Sequence, residues 1–375
     1  MAAAPSTATT KAWTYTRGGL PRQALKLTTT HPPPRLLSIA SQHHRRRMAP
    51  CARLVRRPEP RRGGGDERAP RRHAHHQDRG AMLRPRRDRP RRLDPSPPAA
   101  PRFKSGDPVV AFLTLSHMLR SGTGGLQAVV AFPARFAVPV PRGKSPREAA
   151  GLLLTGCTAA QQVVEAGVRA GDRVLVFGAS GGVGSMAVQI AREAVGAEGT
   201  VVGVCSGRNV EMVKGLGADE VIDYTQFAKV EDELAKRFGS QPFDAIVDGF
   251  GSQAVYKNCA RYLKPGGIYS AAGVHAATLS VGSVLKSGLV MLANAIWPGS
   301  AWLGGTGRTW KAVSMMDRGP ELMERVVGLF ADGKLRVAVD SEWPFEQVLE
   351  AYDVLVSGRA RGKVIVKVDG DCNGE

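Results

Sequence analysis

The chain has 375 residues, 43% of them apolar, enough for more than one domain and a sizeable core. Its net charge of +19 suggests a polyanionic partner until it is divided along the chain: residues 1–40 supply +5 and residues 41–100 supply +12, leaving +2 for residues 101–375. Five scattered cysteines point to neither a disulfide framework nor a zinc cluster, no Gly-His-Glu occurs, and the longest apolar stretch, near 289–297, is too short to span a bilayer.

Residues 1–36 contain no acid and are rich in Ser, Thr and Ala, as plastid transit peptides are. From 37 to 102 the text changes to runs such as R-R-R-M-A-P-C-A-R and R-P-R-R-D-R-P-R-R, with five of the eight histidines. Apolar residues there are too sparse for a strand or a helical face, so disorder is the expectation. An RNA-binding arm is an alternative, because arginines suit phosphates. It is disfavoured, since no aromatic residue lies between Leu37 and Arg102 to stack on a base. Residues 103–141 read as short strands, with Gly106-Asp107 and Gly124-Gly125 as turns. Residues 145–167 read as helical and lead through Gly171-Asp172 into V-L-V-F-G-A-S-G-G-V-G, residues 174–184.

That stretch is the most informative in the chain. Val174, Leu175, Val176 and Phe177 form the continuous apolar run of a parallel strand buried on both faces. Glycines at 178, 181, 182 and 184 make a tight turn, and Val183, Met186, Ala187, Ile190, Ala191 and Ala194 then recur at helical spacing. The free N–H groups of such a helix start suit a pyrophosphate. The spacing G-x-x-G-x-x-G also fits a strand–helix turn that binds nothing. The next strand, T-V-V-G-V-C, continues into Ser206-Gly207-Arg208-Asn209 with no carboxylate at its end, where an unmodified ribose usually meets one. A hydroxyl followed by a guanidinium suits a 2′-phosphate and favours NADPH over NADH. Arg208 as a solvated helix-start residue is the alternative. A helix over 210–217 follows, then strands over 244–248, ending D-G-F-G, and over 268–272. Strands alternating with helices predict an α/β fold with a doubly wound parallel sheet. Residues 285–295 are expected to supply its last strand and residues 301–308 a loop near the cleft. Residues 321–331, 344–356 and a final strand over 362–368 close the chain.

C-S-G-R-N-V-E-M-V-K-G-L-G-A-D-E-V-I-D-Y and L-K-P-G-G-I-Y-S, with the glycine-rich turn, resemble the zinc-free quinone oxidoreductases of the medium-chain dehydrogenase/reductase superfamily, those similar to the plant chloroplast envelope quinone oxidoreductase homologue among them. The match runs from about 103 to 368, and weakly over 11–35. The resemblance implies a Rossmann NADPH-binding domain (151–297) beside a GroES-like β-rich catalytic domain. The latter is built from a first hairpin (1–36), residues 103–150 and a return over 298–375. It further implies that Ser180, Gly181, Gly182 and Val183 form the phosphate loop, that Ser206 and Arg208 take the 2′-phosphate, and that Tyr224 lies beside the adenosine phosphate. Thr158, in Gly156-Cys157-Thr158-Ala159, would lie near the nicotinamide and Gly273 beside its ribose.

The segment 37–102 occupies the place of most of the catalytic domain, so that domain is incomplete here. A frame-shifted or mis-spliced reading of a normal coding region is the hypothesis, with a genuine insert as the alternative. The family's S-x-N-P-x-D has no counterpart, since the first Asn in the chain is Asn209, and the usual G-G-L-A-E-[Y/F] reads G-G-L-Q-A-V. No catalytic proton donor is identified. The implied activity is hydride transfer from NADPH to a quinone or to the C=C bond of an enone, without metal. The alternatives are an NADPH-binding protein with impaired catalysis and an RNA-binding moonlighting protein. The resemblance also implies a homodimer and either a chloroplast location, with peripheral association at the envelope membrane, or a cytoplasmic one.

Overall fold

The computed structural model describes residues 10–15, 22, 25–31, 103–122, 124–274, 281–296, 305–313 and 319–368. The chain divides into two units, residues 1–34 with 103–375, and residues 35–102. The second unit lies outside the described residues, and so do the disorder and frame hypotheses placed on it.

In the first unit, β1 (Thr10–Tyr15) and β2 (Leu25–His31) pair antiparallel. Leu25 packs with Phe345 and Val348, while Arg22 reaches Asp353 at 2.5 Å and Glu350 at 3.3 Å. Those pairs are about half exposed and screened by solvent, so the apolar contact dominates. β3 (Val109–Ala111) pairs antiparallel with a later strand, but the region is not strands alone. Thr114 caps α1 (Leu115–Ser121) by accepting from the His117 N–H, and Gly122 ends it at φ 67°. These are ordinary helix start and stop signals, and they correct the expectation. β4 (Ala137–Pro139) completes the β3 pair. A capping box between Ser145 and Glu148 starts α2 (Pro146–Ala149), and α3 (Leu152–Glu165) follows.

The remaining elements build and flank one sheet. β5 (Arg173–Phe177), α4 (Gly182–Val195), β6 (Thr200–Cys205), α5 (Val210–Lys214), β7 (Glu220–Asp223), α6 (Val230–Phe238), β8 (Phe243–Asp248), α7 (Gln253–Asn258) and β9 (Leu263–Ala271) alternate strand and helix. α8 (Val281–Ile296), β10 (Thr309–Ala312), α9 (Gly319–Ala331), β11 (Val339–Pro344), α10 (Val348–Val356) and β12 (Lys363–Lys367) complete the described elements, and β11 and β12 pair in parallel. The sheet runs β10-β9-β8-β5-β6-β7 with every pair parallel, the doubly wound order expected from the sequence. Along β5, Val174 and Val176 enter the core shared with α3, α4 and α9, while Leu175 enters the opposite core with Leu234, Phe238 and Tyr256. This two-residue alternation is why the strand is apolar throughout. Gly203 lets α5 close on β6, since a Cβ there would lie 2.7 Å from Val213 Cγ1.

The expected last strand at 285–295 is corrected: those residues form α8, and β10 takes the sheet edge beside β9. A short apolar run does not by itself distinguish strand from helix. Leu285, Leu289, Leu292 and Ile296 follow helical spacing and form an exposed apolar face. Of the loop expected at 301–308, residues 301–304 lie outside the described residues and 305–308 lead into β10. Among the described residues no helix is long and apolar enough to cross a membrane.

Candidate functional site

Strand order reverses between β5 and β8, so the chain ends of neighbouring strands diverge there and leave a crevice. The turn after β5 is set by backbone geometry. Gly178 has φ 70°, and its carbonyl accepts from the Gly181 N–H at 3.0 Å. Gly181 caps α4 and accepts from the Ser185 N–H at 2.9 Å, leaving the N–H groups of Gly182, Val183 and Gly184 without an acceptor inside the helix. A Cβ on Gly184 would lie 2.0 Å from the Gly178 oxygen, so helix and strand meet backbone to backbone.

A cavity of about 620 Å³ lies over the ends of β5, β6, β7 and β8. Five residues expected from the sequence line it together: Ser180, Gly181, Ser206, Arg208 and Tyr224. The other four are not among its lining. Gly182 and Val183 form the first turn of α4 beside it. Thr158 is buried in α3, where its hydroxyl donates to the Leu154 carbonyl at 2.7 Å. Gly273 follows β9 at φ 143°, with no atom of the described residues within 4 Å of where a Cβ would stand.

The lining also includes residues that the sequence reading missed. Arg359 enters from the loop before β12, and its carbonyl accepts from Arg208 Nη2 at 2.5 Å. That loop is held against the turn, since the Gly362 N–H donates to the Ser180 carbonyl at 2.8 Å. Its signal was the arginine-bearing S-G-R-A-R-G before the final strand. Asn209 donates from Nδ2 to Ser180 Oγ at 2.9 Å and Ser206 Oγ at 3.1 Å. Phe250 lies 6.4 Å from Phe177, ring to ring, and both face the cavity.

The loop carrying Gly249 and Phe250 is held by a buried carboxylate. Asp248 accepts from the N–H groups of Phe250, Gly251 and Ser252 and from the Tyr269 hydroxyl at 2.6 Å. Burial pushes its carboxyl above the usual range, against the pull of these donors. Gln162 donates to the backbone carbonyls of Asp248 and Ser270, tying α3 to β8 and β9.

Electrostatically the wall is one-sided: among the described residues Arg208 and Arg359 are its charged residues, and no Asp or Glu lines it. The neighbouring Asp223 is outside the lining, and its carboxylate is occupied by Thr225 and Gln226. Those bonds hold it below the usual carboxylate range, the Thr225 hydroxyl most of all. Burial pushes the Cys205 thiol up to about 11, with Asp223 adding to it. Among the described residues no group of three or more His, Cys, Asp or Glu is placed to hold a metal.

The residues present fit a phosphorylated dinucleotide: a glycine turn at the start of α4 with its free N–H groups, the hydroxyls of Ser180 and Ser206, and the guanidinium groups of Arg208 and Arg359. Residues 216–366 match the family model described as "Zinc-binding dehydrogenase". The chain is 36% identical to the medium chain reductase pydE of Acremonium sp over 70% of its own length and 74% of the relative's. It is 35% identical to the trans-enoyl reductase poxH of Penicillium oxalicum over 59% of this chain, spanning 56% of that relative. Likeness to the chloroplast envelope quinone oxidoreductase homolog of Arabidopsis thaliana is 31% over 71% of this chain and 74% of that one. A solved alcohol dehydrogenase superfamily protein from Novosphingobium aromaticivorans superposes with a TM-score of 0.55 at 25% identity, covering 72% of this chain and 77% of that one. With the sheet order and the glycine turn, these likenesses show that the chain belongs to the medium-chain dehydrogenase/reductase superfamily of oxidoreductases.

Proposed function

We propose that this chain is an NADPH-dependent oxidoreductase that reduces a quinone or the C=C bond of an α,β-unsaturated carbonyl without zinc. The observation that carries the choice of NADPH is the cavity wall, which among the described residues offers Arg208, Arg359, Ser180 and Ser206 and no carboxylate. When bound, NADPH supplies the hydride. The α4 N-terminus with Gly181, Gly182 and Val183 would hold the pyrophosphate, while Ser180 of the same loop, bridged through Asn209 to Ser206, would face the 2′-phosphate side. Ser206 and Arg208 would hold the 2′-phosphate, and Tyr224 would flank the adenosine side. Thr158 and Gly273 belong in this reading to the nicotinamide side, beyond the lined cavity. The printed names of poxH and of the Arabidopsis relative support an enone or quinone acceptor. The missing Gly-His-Glu supports the zinc-free reading. The domain division into 1–36, 103–150 and 298–375 around a nucleotide domain at 151–297 is part of this proposal. The same holds for a chloroplast location and for a homodimer, for which the exposed Leu285, Leu289, Leu292 and Ile296 face of α8 offers apolar surface.

A second reading, nucleotide binding without turnover, is favoured by one observation: the text of 37–102 carries no S-x-N-P-x-D. Equilibrium titration tests the cofactor assignment shared by both readings. Wild type is expected to bind NADPH at least about tenfold more tightly than NADH, and Arg208→Ala to remove most of that preference. Equal affinities in the wild type would contradict it.

A further inference from the structure

Asparagine is among the side chains that most often cap a helix, and Asn209 sits at the N-cap of α5, yet its side chain makes no capping bond. It is 3% exposed, and its amide is spent elsewhere. One nitrogen, Nδ2, donates to both Ser180 Oγ and Ser206 Oγ, at 2.9 and 3.1 Å, joining the turn after β5 to the end of β6. Its Oδ1 is buried, with no hydrogen-bond partner among the described residues. Both serines line the cavity.

A hydroxyl has a single proton, and a serine that accepts from an amide N–H keeps that proton for another acceptor. In this arrangement both serine protons are available to the cavity. With the amide turned over, Oδ1 would draw both protons to itself, and the serines would face the cavity as acceptors. The unpartnered Oδ1 is thus the counterpart of two serine donors. A phosphomonoester dianion only accepts, whereas a ribose hydroxyl can donate or accept.

We propose that Asn209 is a positioning residue that fixes Ser180 and Ser206 as donors and thereby selects a 2′-phosphorylated nucleotide over an unphosphorylated one. The proposal rests on the NADPH reading of the cavity and adds to it the residue that sets hydrogen-bond polarity. Asn209→Asp keeps the shape and remains a good N-cap residue, but its carboxylate is acceptor-only and draws both serine protons. Asn209→Leu removes the amide without adding charge, leaving the serines unoriented.

The test is calorimetric binding of 2′,5′-ADP and 5′-AMP to the full chain and to both variants, with thermal melting alongside. Wild type is expected to prefer 2′,5′-ADP by about 100-fold, as charge-assisted hydrogen bonds of this kind give. Asn209→Asp is expected to bring the ratio close to one while 5′-AMP affinity changes less than about threefold. Asn209→Leu is expected to fall between them, which separates polarity from added charge. If wild type shows no preference, the NADPH reading fails and this proposal with it. If wild type prefers 2′,5′-ADP and both variants keep the ratio, the role of Asn209 is overturned while the reading stands. Equal weakening of both ligands would mark Asn209 as merely structural and also overturn it.

Discussion

Gly184 and Gly178 meet so closely that a Cβ on the former would lie 2.0 Å from the carbonyl oxygen of the latter and 2.9 Å from Ala179 Cα. The contact is backbone to backbone, and no rotamer change relieves it. Gly184→Ala is therefore expected to cost about 3 kcal/mol or more and to weaken NADPH binding by displacing the α4 N-terminus. Gly181→Ala, whose Cβ would stand 3.4 Å from the same oxygen, is the control and is expected to cost less than about 1 kcal/mol. Denaturant midpoints of the two variants decide this, and equal costs would contradict it.

Asp248 is expected to be the structural keystone of the loop that carries Gly249 and Phe250. Asp248→Asn replaces an acceptor oxygen with an N–H₂ that must face at least one backbone N–H in either orientation of the amide. A cost of about 3 kcal/mol is expected, with earlier proteolytic cleavage at residues 249–252. A variant as stable and as resistant as wild type would remove the carboxylate from that role.

Cys205 is expected to be inert despite lining the cavity. Its thiol, raised to about 11, stays protonated through neutral and mildly alkaline pH, so little thiolate exists to react. Because the shift is upward, deprotonation begins only as pH approaches that value. Labelling by iodoacetamide in the native chain is expected to remain slow from about pH 7 to about pH 9, where a free thiol accelerates strongly. Rapid modification of Cys205 at about pH 8, found by peptide mapping, would contradict the burial that holds it.

Local physics made much of the fold readable. β6 matches its sequence-based bounds, because Gly199 before it and Ser206 after it punctuate the Val-rich T-V-V-G-V-C. The turn after β5 was equally legible, since its glycines answer to backbone approach within a few residues. α8 was misread because an apolar run is ambiguous, and β10 was missed because T-W-K-A is short and mixed. In the cavity, Ser180, Ser206, Arg208 and Tyr224 sit at the ends of consecutive strands, so the sheet topology brings them together. Arg359 was hidden because its meeting with Arg208 spans 151 residues, and no local pattern announces that pairing. Asn209 lay within the quoted Ser206-Gly207-Arg208-Asn209, but only the geometry shows its amide on the two serines.

The most direct measurement is NADPH oxidation by the purified full chain with a naphthoquinone and with a small enone, each repeated with NADH and with a zinc chelator. NADPH oxidation that depends on at least one acceptor, is faster than with NADH and is indifferent to the chelator is the expected result. Tight NADPH binding without acceptor-dependent oxidation, or activity abolished by the chelator, would contradict the proposed zinc-free reductase.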